Sequence, residues 1–233
     1  TWNVNSPEYV ADFSAAAYFF GKQLYNTLKV PIGLVNSSWG GTDITCWMSS
    51  DALKKFPDIS QEYLACDEIS QKPQPVTLFN GMVNPIKDFN FKGVIWYQGE
   101  ANRSDPEQYK LLFQSFVENW RDSFRNETMP VYYVQIAPYM YFKNKSNIQA
   151  ALLREAQMEC ESVISNVGMV VIMDSGDSST IHPSKKDIVG KRLAYQALNQ
   201  TYGISSIISD SPRYVSKMRE DNKLILFFDR IPL

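Results

Sequence analysis

Four short apolar runs, separated by stretches of helical periodicity, constrain this chain more than any other feature. They are residues 31–35 (PIGLV), 93–97 (GVIWY), 131–136 (VYYVQI) and 169–173 (MVVIM). Consecutive positions in each are apolar, as in strands covered on both faces, so each is expected to be a buried strand. Around them, Phe13, Ala16, Ala17, Phe20, Leu24 and Leu28 recur at helical spacing, and so do Tyr109, Leu112, Phe113, Phe116 and Trp120. Residues 148–160 and 188–198 also read as helices. Alternating helix and strand predicts an α/β sandwich of three layers with a parallel sheet, over about residues 11–202. The apolar helix faces are then core.

Two regions depart from the alternation. Residues 43–85 lack a clean period and contain Pro57, Pro73, Pro75 and Pro85, which reads as a functional excursion or a covering loop. From Ser205 the pattern changes again. Residues 214–218 and 224–228 flank a polar five-residue stretch, as in a β-hairpin. We therefore divide the chain into residues 1–204, an α/β domain, and residues 205–233, the beginning of a β-rich domain. With 23 Lys and Arg against 25 Asp and Glu, the net charge is −2, which argues against nucleic acid as the main partner. No apolar run reaches the ~18 residues of a membrane span. The first five residues lack the basic and apolar regions of a secretory leader, which a processed or trimmed start would hide. Cys46, Cys66 and Cys160 have no metal-finger spacing, so no metal is expected. One disulfide and three buried thiols both fit them. His182 is the single histidine, and imidazole chemistry within the chain must use it.

In open parallel sheets, ligands bind beyond the carboxyl ends of the strands. After the first run comes Asn36-Ser37-Ser38-Trp39-Gly40-Gly41-Thr42, whose paired glycines suit an oxyanion-binding turn as well as an ordinary one. After the second comes Gln98-Gly99-Glu100-Ala101-Asn102, which reads as a pocket floor or as the lead-in to a helix at Asp105-Pro106. After the fourth, Asp174 and Asp177 precede Ile181-His182-Pro183. A histidine in a polar loop with acids nearby fits nucleophilic acyl transfer, and fits a structural role too.

Together these segments resemble the sialate O-acetylesterases of the SGNH hydrolase superfamily. The resemblance runs from about residue 1 to 198. Gly93-Val94-Ile95-Trp96-Tyr97-Gln98-Gly99-Glu100 is its most specific part, and Asn119-Trp120-Arg121 and Tyr133-Val134-Gln135-Ile136-Ala137-Pro138 also fit. It implies a flavodoxin-like SGNH fold and removal of O-acetyl groups from a sugar such as sialic acid, without cofactor. It implies that His182 is the general base, that Gly40 or Gly41 donates to the oxyanion, and that Gln98 is a further donor. Glu100 and Asn102 would shape the pocket. A periplasmic or secreted location comes only from family habit.

Two departures from the family pattern stand out. Where the superfamily often has an acid three residues before its histidine, this chain has Ser179. The orienting group for His182 is then Asp177, another acid or a backbone carbonyl. The family's nucleophile lies in a Gly-x-Ser block on a strand preceding the segment that matches residues 13–35, and no serine here stands in its place. The expectation is an N-terminally incomplete domain, inactive alone, whose nucleophile strand comes from another segment or chain. The alternatives are an acetylxylan-type or other carbohydrate esterase, and a carbohydrate-binding module on an inactive hydrolase fold.

Overall fold

The structure is a computed structural model and describes residues 2–59, 73–141 and 148–230. Its centre is a parallel sheet of β1 (Val94–Trp96), β2 (Val131–Val134) and β3 (Val167–Val170), in that order. The register pairs Val94 with Val131 and Val131 with Val167. Four helices cover it: α1 (Ala15–Leu28), α2 (Pro106–Ser123), α3 (Gln149–Val163) and α4 (Lys186–Gln196). All four lie where the periodicity predicts them. Local chemistry sets their ends. The Ser14 hydroxyl accepts from the Ala17 N–H to open α1, and Lys29 closes it in the left-handed region. Asp105 caps α2, with Pro106 in its first turn.

Side chains alternate across the sheet as the pleat requires. Val131, Tyr133, Met169 and Trp96 enter one core with the buried faces of α2 and α3. Tyr132, Val134, Val170 and Ile172 enter a second core with α1 and α4. This is the predicted three-layer arrangement. In the first core Trp96 and Phe116 rings sit 4.3 Å apart, and Phe113 and Tyr133 rings 4.7 Å apart. Burying each such ring is worth roughly 1.5–3 kcal/mol. On the other face α1 and α4 cross closely at Gly190, where a Cβ would lie 2.6 Å from the Ala16 carbonyl oxygen.

The expected strand at residues 31–35 is a correction: this segment is in no ladder. Among the described residues, the backbone of 30–38 makes no backbone–backbone hydrogen bond. A cavity of about 710 Å³ separates this run from β1, with α1 and α4 beneath it. Apolarity therefore drew the segment to the sheet's flank without giving it a hydrogen-bonding neighbour. The last run is also shifted. β3 covers Val167–Val170, two residues early, and Met173 is exposed. Gly168 pairs with Tyr132 in the ladder, and the Gln196 side chain packs where a Cβ on it would project.

The described parts of the irregular region, 43–59 and 73–85, form a cover. Short helical turns at Ile44–Trp47, Ser50–Leu53 and Phe79–Val83 bury Trp47, Met48, Leu53 and Val83 in the α2–α3 core. Beyond α4, β4 (Tyr214–Glu220) and β5 (Lys223–Phe228) form a separate antiparallel pair, the predicted hairpin. Arg213 tethers it to Glu161 of α3 at 2.6 Å. Among the described residues no helix is long and apolar enough to cross a membrane. Cys46 and Cys160 are buried free thiols, which leaves no disulfide between them, and Cys66 lies outside the described residues.

Candidate active site

The loops that follow the extended run 31–35, β1 and β3 are joined at one end of the sheet. The join between the first two is a polar chain. Gln98 donates from Nε2 to the Thr42 carbonyl at 3.0 Å and to Asn102 Oδ1 at 2.7 Å. The Asn102 side-chain amide donates to Asp43 at 2.6 Å, and its oxygen accepts from the Ile44 N–H at 3.0 Å. Asp43 in turn accepts from the Thr45 N–H and hydroxyl. The Thr42 hydroxyl donates to the Trp39 carbonyl at 2.7 Å and accepts from the Trp47 indole, which closes the Gly40–Gly41 turn. Gly41 has φ +72°, so a side chain there would be strained. Gly40 has open space where a Cβ would project, and the turn is exposed.

Asn102 is buried and spends its amide on this network. It joins the Gln98 turn to Asp43 and Ile44. Gln98 has both amide hydrogens engaged inside the protein, and its Oε1 is buried without a partner among the described residues. In this conformation Gln98 fixes the Gly40–Gly41 turn instead of presenting a donor. Sequence reasoning did not find Asp43, which carries the network, because an acid after a glycine turn has no distinctive pattern.

Gly99 turns the chain from β1 into the Glu100 turn. A Cβ on it would lie 2.7 Å from Ile136 Cγ2. The Gln157 amide of α3 holds this corner, accepting from the Ile136 N–H at 2.9 Å and donating to the Gln98 carbonyl.

The third loop carries His182, which is exposed. It is positioned by its neighbours. Asp174 makes a two-pronged pair with Arg192 of α4, at 2.7 and 2.6 Å. Gly176 lies against Pro138, where a Cβ would be 2.5 Å from the carbonyl oxygen. The Asp177 N–H donates to that same oxygen. The carboxylate of Asp177 accepts from the Ser179 N–H and hydroxyl, and this holds it below the usual carboxylate range. Asp177 is thus engaged with its own loop.

Glu100 lies on the loop after β1. Its carboxyl is partly buried, and desolvation pushes its pKa up; the charges of His182, Lys186 and Arg103 pull it back down. The Glu100 carboxyl on the β1 loop thus senses the cationic groups around it, with no hydrogen bond or ion pair to His182 among the described residues. Nearby, the Lys186 ammonium sits 4.8 Å from the centre of the Tyr97 ring, and the Arg103 guanidinium 4.7 Å from that of Tyr141. Burial pushes the Tyr141 hydroxyl up to about 12. No serine hydroxyl among the described residues bonds to the His182 ring. Ser37 donates to the Met82 carbonyl, Ser38 to Asn36 and Ser179 to Asp177. Among the described residues no three His, Cys, Asp or Glu side chains cluster as a metal site would require.

Residues 6–199 match the family model described as carbohydrate esterase, sialic acid-specific acetylesterase. The chain belongs to this family. Among curated members, it is 30% identical to the human sialate O-acetylesterase over 88% of this chain and 42% of that protein. It is also 30% identical to the mouse sialate O-acetylesterase over 93% of this chain and 48% of that one. The chain thus spans about half the length of the curated family members it matches. A carbohydrate acetylesterase from Xanthomonas citri superposes with a TM-score of 0.83 at 34% identity, over 98% of this chain and half of that structure. An Arabidopsis thaliana protein shares the fold, with a TM-score of 0.55 at 23% identity over 78% of this chain and 66% of that one.

Proposed function

We propose that this chain carries the base and the oxyanion-binding turn of a serine-dependent carbohydrate O-acetylesterase acting on O-acetylated sialic acid. The observation that carries the reading is that the Gly40–Gly41 turn is tied to Gln98, and that Lys186, four residues after His182, lies 4.8 Å from the ring centre of Tyr97, the residue beside Gln98. In the reaction a serine oxygen attacks the acetyl carbonyl while His182 takes the hydroxyl proton. The carbonyl oxygen becomes an oxyanion facing the N–H groups of Gly40 and Gly41. Collapse breaks the bond to the sugar oxygen, which leaves with the proton from His182. Water, deprotonated by His182, then releases acetate. Glu100 orients the imidazole and stabilises its protonated form; Asp177 is the alternative acid.

The serine belongs, in this proposal, to a strand in the cavity beside β1, supplied by a segment or chain outside these 233 residues. In a parallel ladder alternate residues face each neighbour. The Val94 N–H donates to the Pro130 carbonyl at 2.9 Å, toward β2. The backbone groups of Ile95 and Tyr97 accordingly face the cavity, opposite the run 31–35. The cavity reaches Gly40 and Gln98, so a strand in it would end at the oxyanion turn.

The test is acetate release from O-acetylated sialic acid. The full-length protein should turn over, and the 233 residues alone should not. Full activity of the chain alone would place the nucleophile among Ser37, Ser38, Ser178 and Ser179. Binding of sugar with no turnover in the full-length protein would instead favour a carbohydrate-binding module. Preference for acetylated xylan over the sialate would move the substrate to the acetylxylan class.

A further inference from the structure

We propose that Lys186 is the residue that selects an anionic sugar, its ammonium serving as counter-ion to a carboxylate on the substrate. Lys186 is the first residue of α4, four positions after His182. Its side chain is partly buried, yet its ammonium makes no hydrogen bond or ion pair among the described residues. Its direct contact is with the face of the Tyr97 ring, at 4.8 Å. Lysines usually keep their heads in water, so a partly buried ammonium with three donors and no acceptor invites an anion. Glu100 does not fill that role. Its charge is felt at Lys186, but the two form no ion pair among the described residues. Burial lowers the Lys186 pKa, which an arriving carboxylate would raise again.

Tyr97 gives the position its meaning. It directly precedes Gln98, and it lines the cavity that runs to Gly40. Lysine on this ring is therefore beside the reacting centre and displaced toward α4. A sugar presenting its acetyl group to the oxyanion turn and His182 would present another edge to Lys186. A neutral acetylated sugar gains nothing there. An acidic one gains a charge-assisted hydrogen bond, worth a factor of about ten or more in affinity.

This inference rests on the esterase reading, and two measurements on the full-length protein separate the two. The first is equilibrium binding of N-acetylneuraminic acid and of its methyl ester, which lacks the negative charge. The acid should bind at least about tenfold tighter, Lys186→Met should abolish the difference, and Lys186→Arg should keep most of it. Equal binding of acid and ester by the unaltered protein would overturn the proposal, whether or not the protein turns over. The second is kinetic. Lys186→Met should raise KM for an O-acetylated sialate about tenfold while kcat changes little. With p-nitrophenyl acetate, a neutral ester, kcat/KM should change far less. Equal losses on both esters, carried by kcat, would show that Lys186 acts through Glu100 and would overturn it.

Discussion

In the proposed site His182 and Glu100 come from segments eighty-two positions apart, and their separate replacement tests that reading most directly. In the full-length protein, His182→Ala should lower kcat/KM for an acetyl ester by about 10³-fold or more. A loss under tenfold would remove His182 as the base. Glu100→Gln should cost about 10²-fold, whereas Asp177→Asn should cost little, because Asp177 is engaged with Ser179. The reverse ranking would return the orienting role to Asp177. Glu100 also gives a signed stability effect. Its folded pKa is raised above 4.5 chiefly by burial, so its ionisation opposes folding. Its favourable contribution is full below that value and lost as pH rises through the raised pKa. Glu100→Gln should therefore melt no lower than the parent at pH 7 while being less active. A clear drop in Tm at pH 7 would mean the carboxylate is held by stronger partners than those seen.

At the scale of elements, the site depends on how tightly loops pack. Gly176 touches Pro138, and a methyl group there meets a carbonyl oxygen at 2.5 Å. Gly176→Ala should cost about 1–3 kcal/mol in urea unfolding and displace the His182 loop, lowering activity as well. An unchanged urea midpoint would show that this loop yields freely. Gln157 offers a second test. It is fully buried and joins α3 to the ends of β1 and β2. Gln157→Leu fills the same volume but strands the Ile136 N–H, for a loss of about 1–3 kcal/mol. Elements of this kind were legible beforehand, since helical spacing marked all four helices. The Gln157 tie was not, because a polar residue on an apolar helix face gives no hint of its partner.

Across the whole molecule, the sheet is asymmetric: β1 is paired with β2 on one side and borders the cavity on the other. Strand addition there has a clear signature in hydrogen exchange. In the 233-residue chain the Ile95 and Tyr97 amides should exchange about 10²-fold faster than those of Trp96 and Val134. Equal protection in the chain alone would mean that these groups are already satisfied. In the full-length protein all four should be protected, if a parallel strand occupies the cavity. The hairpin is the other unbalanced part. Tyr214, Val215, Leu224 and Phe228 are exposed on it, and a two-stranded ribbon is marginal by itself.

The sequence by itself determined the layers, because period 2 and period 3.6 apolar patterns say which faces must leave water, whatever their partners. It also marked the segments on which the proposed site is built: Gly40–Gly41 after an apolar run, and Gln98–Glu100 and His182 after two of the sheet's strands. The tertiary structure decided what those residues face. Residues 31–35 looked like a strand, but a ladder needs a neighbour within hydrogen-bonding distance, and apolarity cannot supply that. Asp177 looked like the partner of His182 from its nearness in sequence, yet its own loop captures it. Glu100 is the acid we propose in that place, because the field acting on an imidazole depends on distance through space and on burial, and a linear pattern records neither.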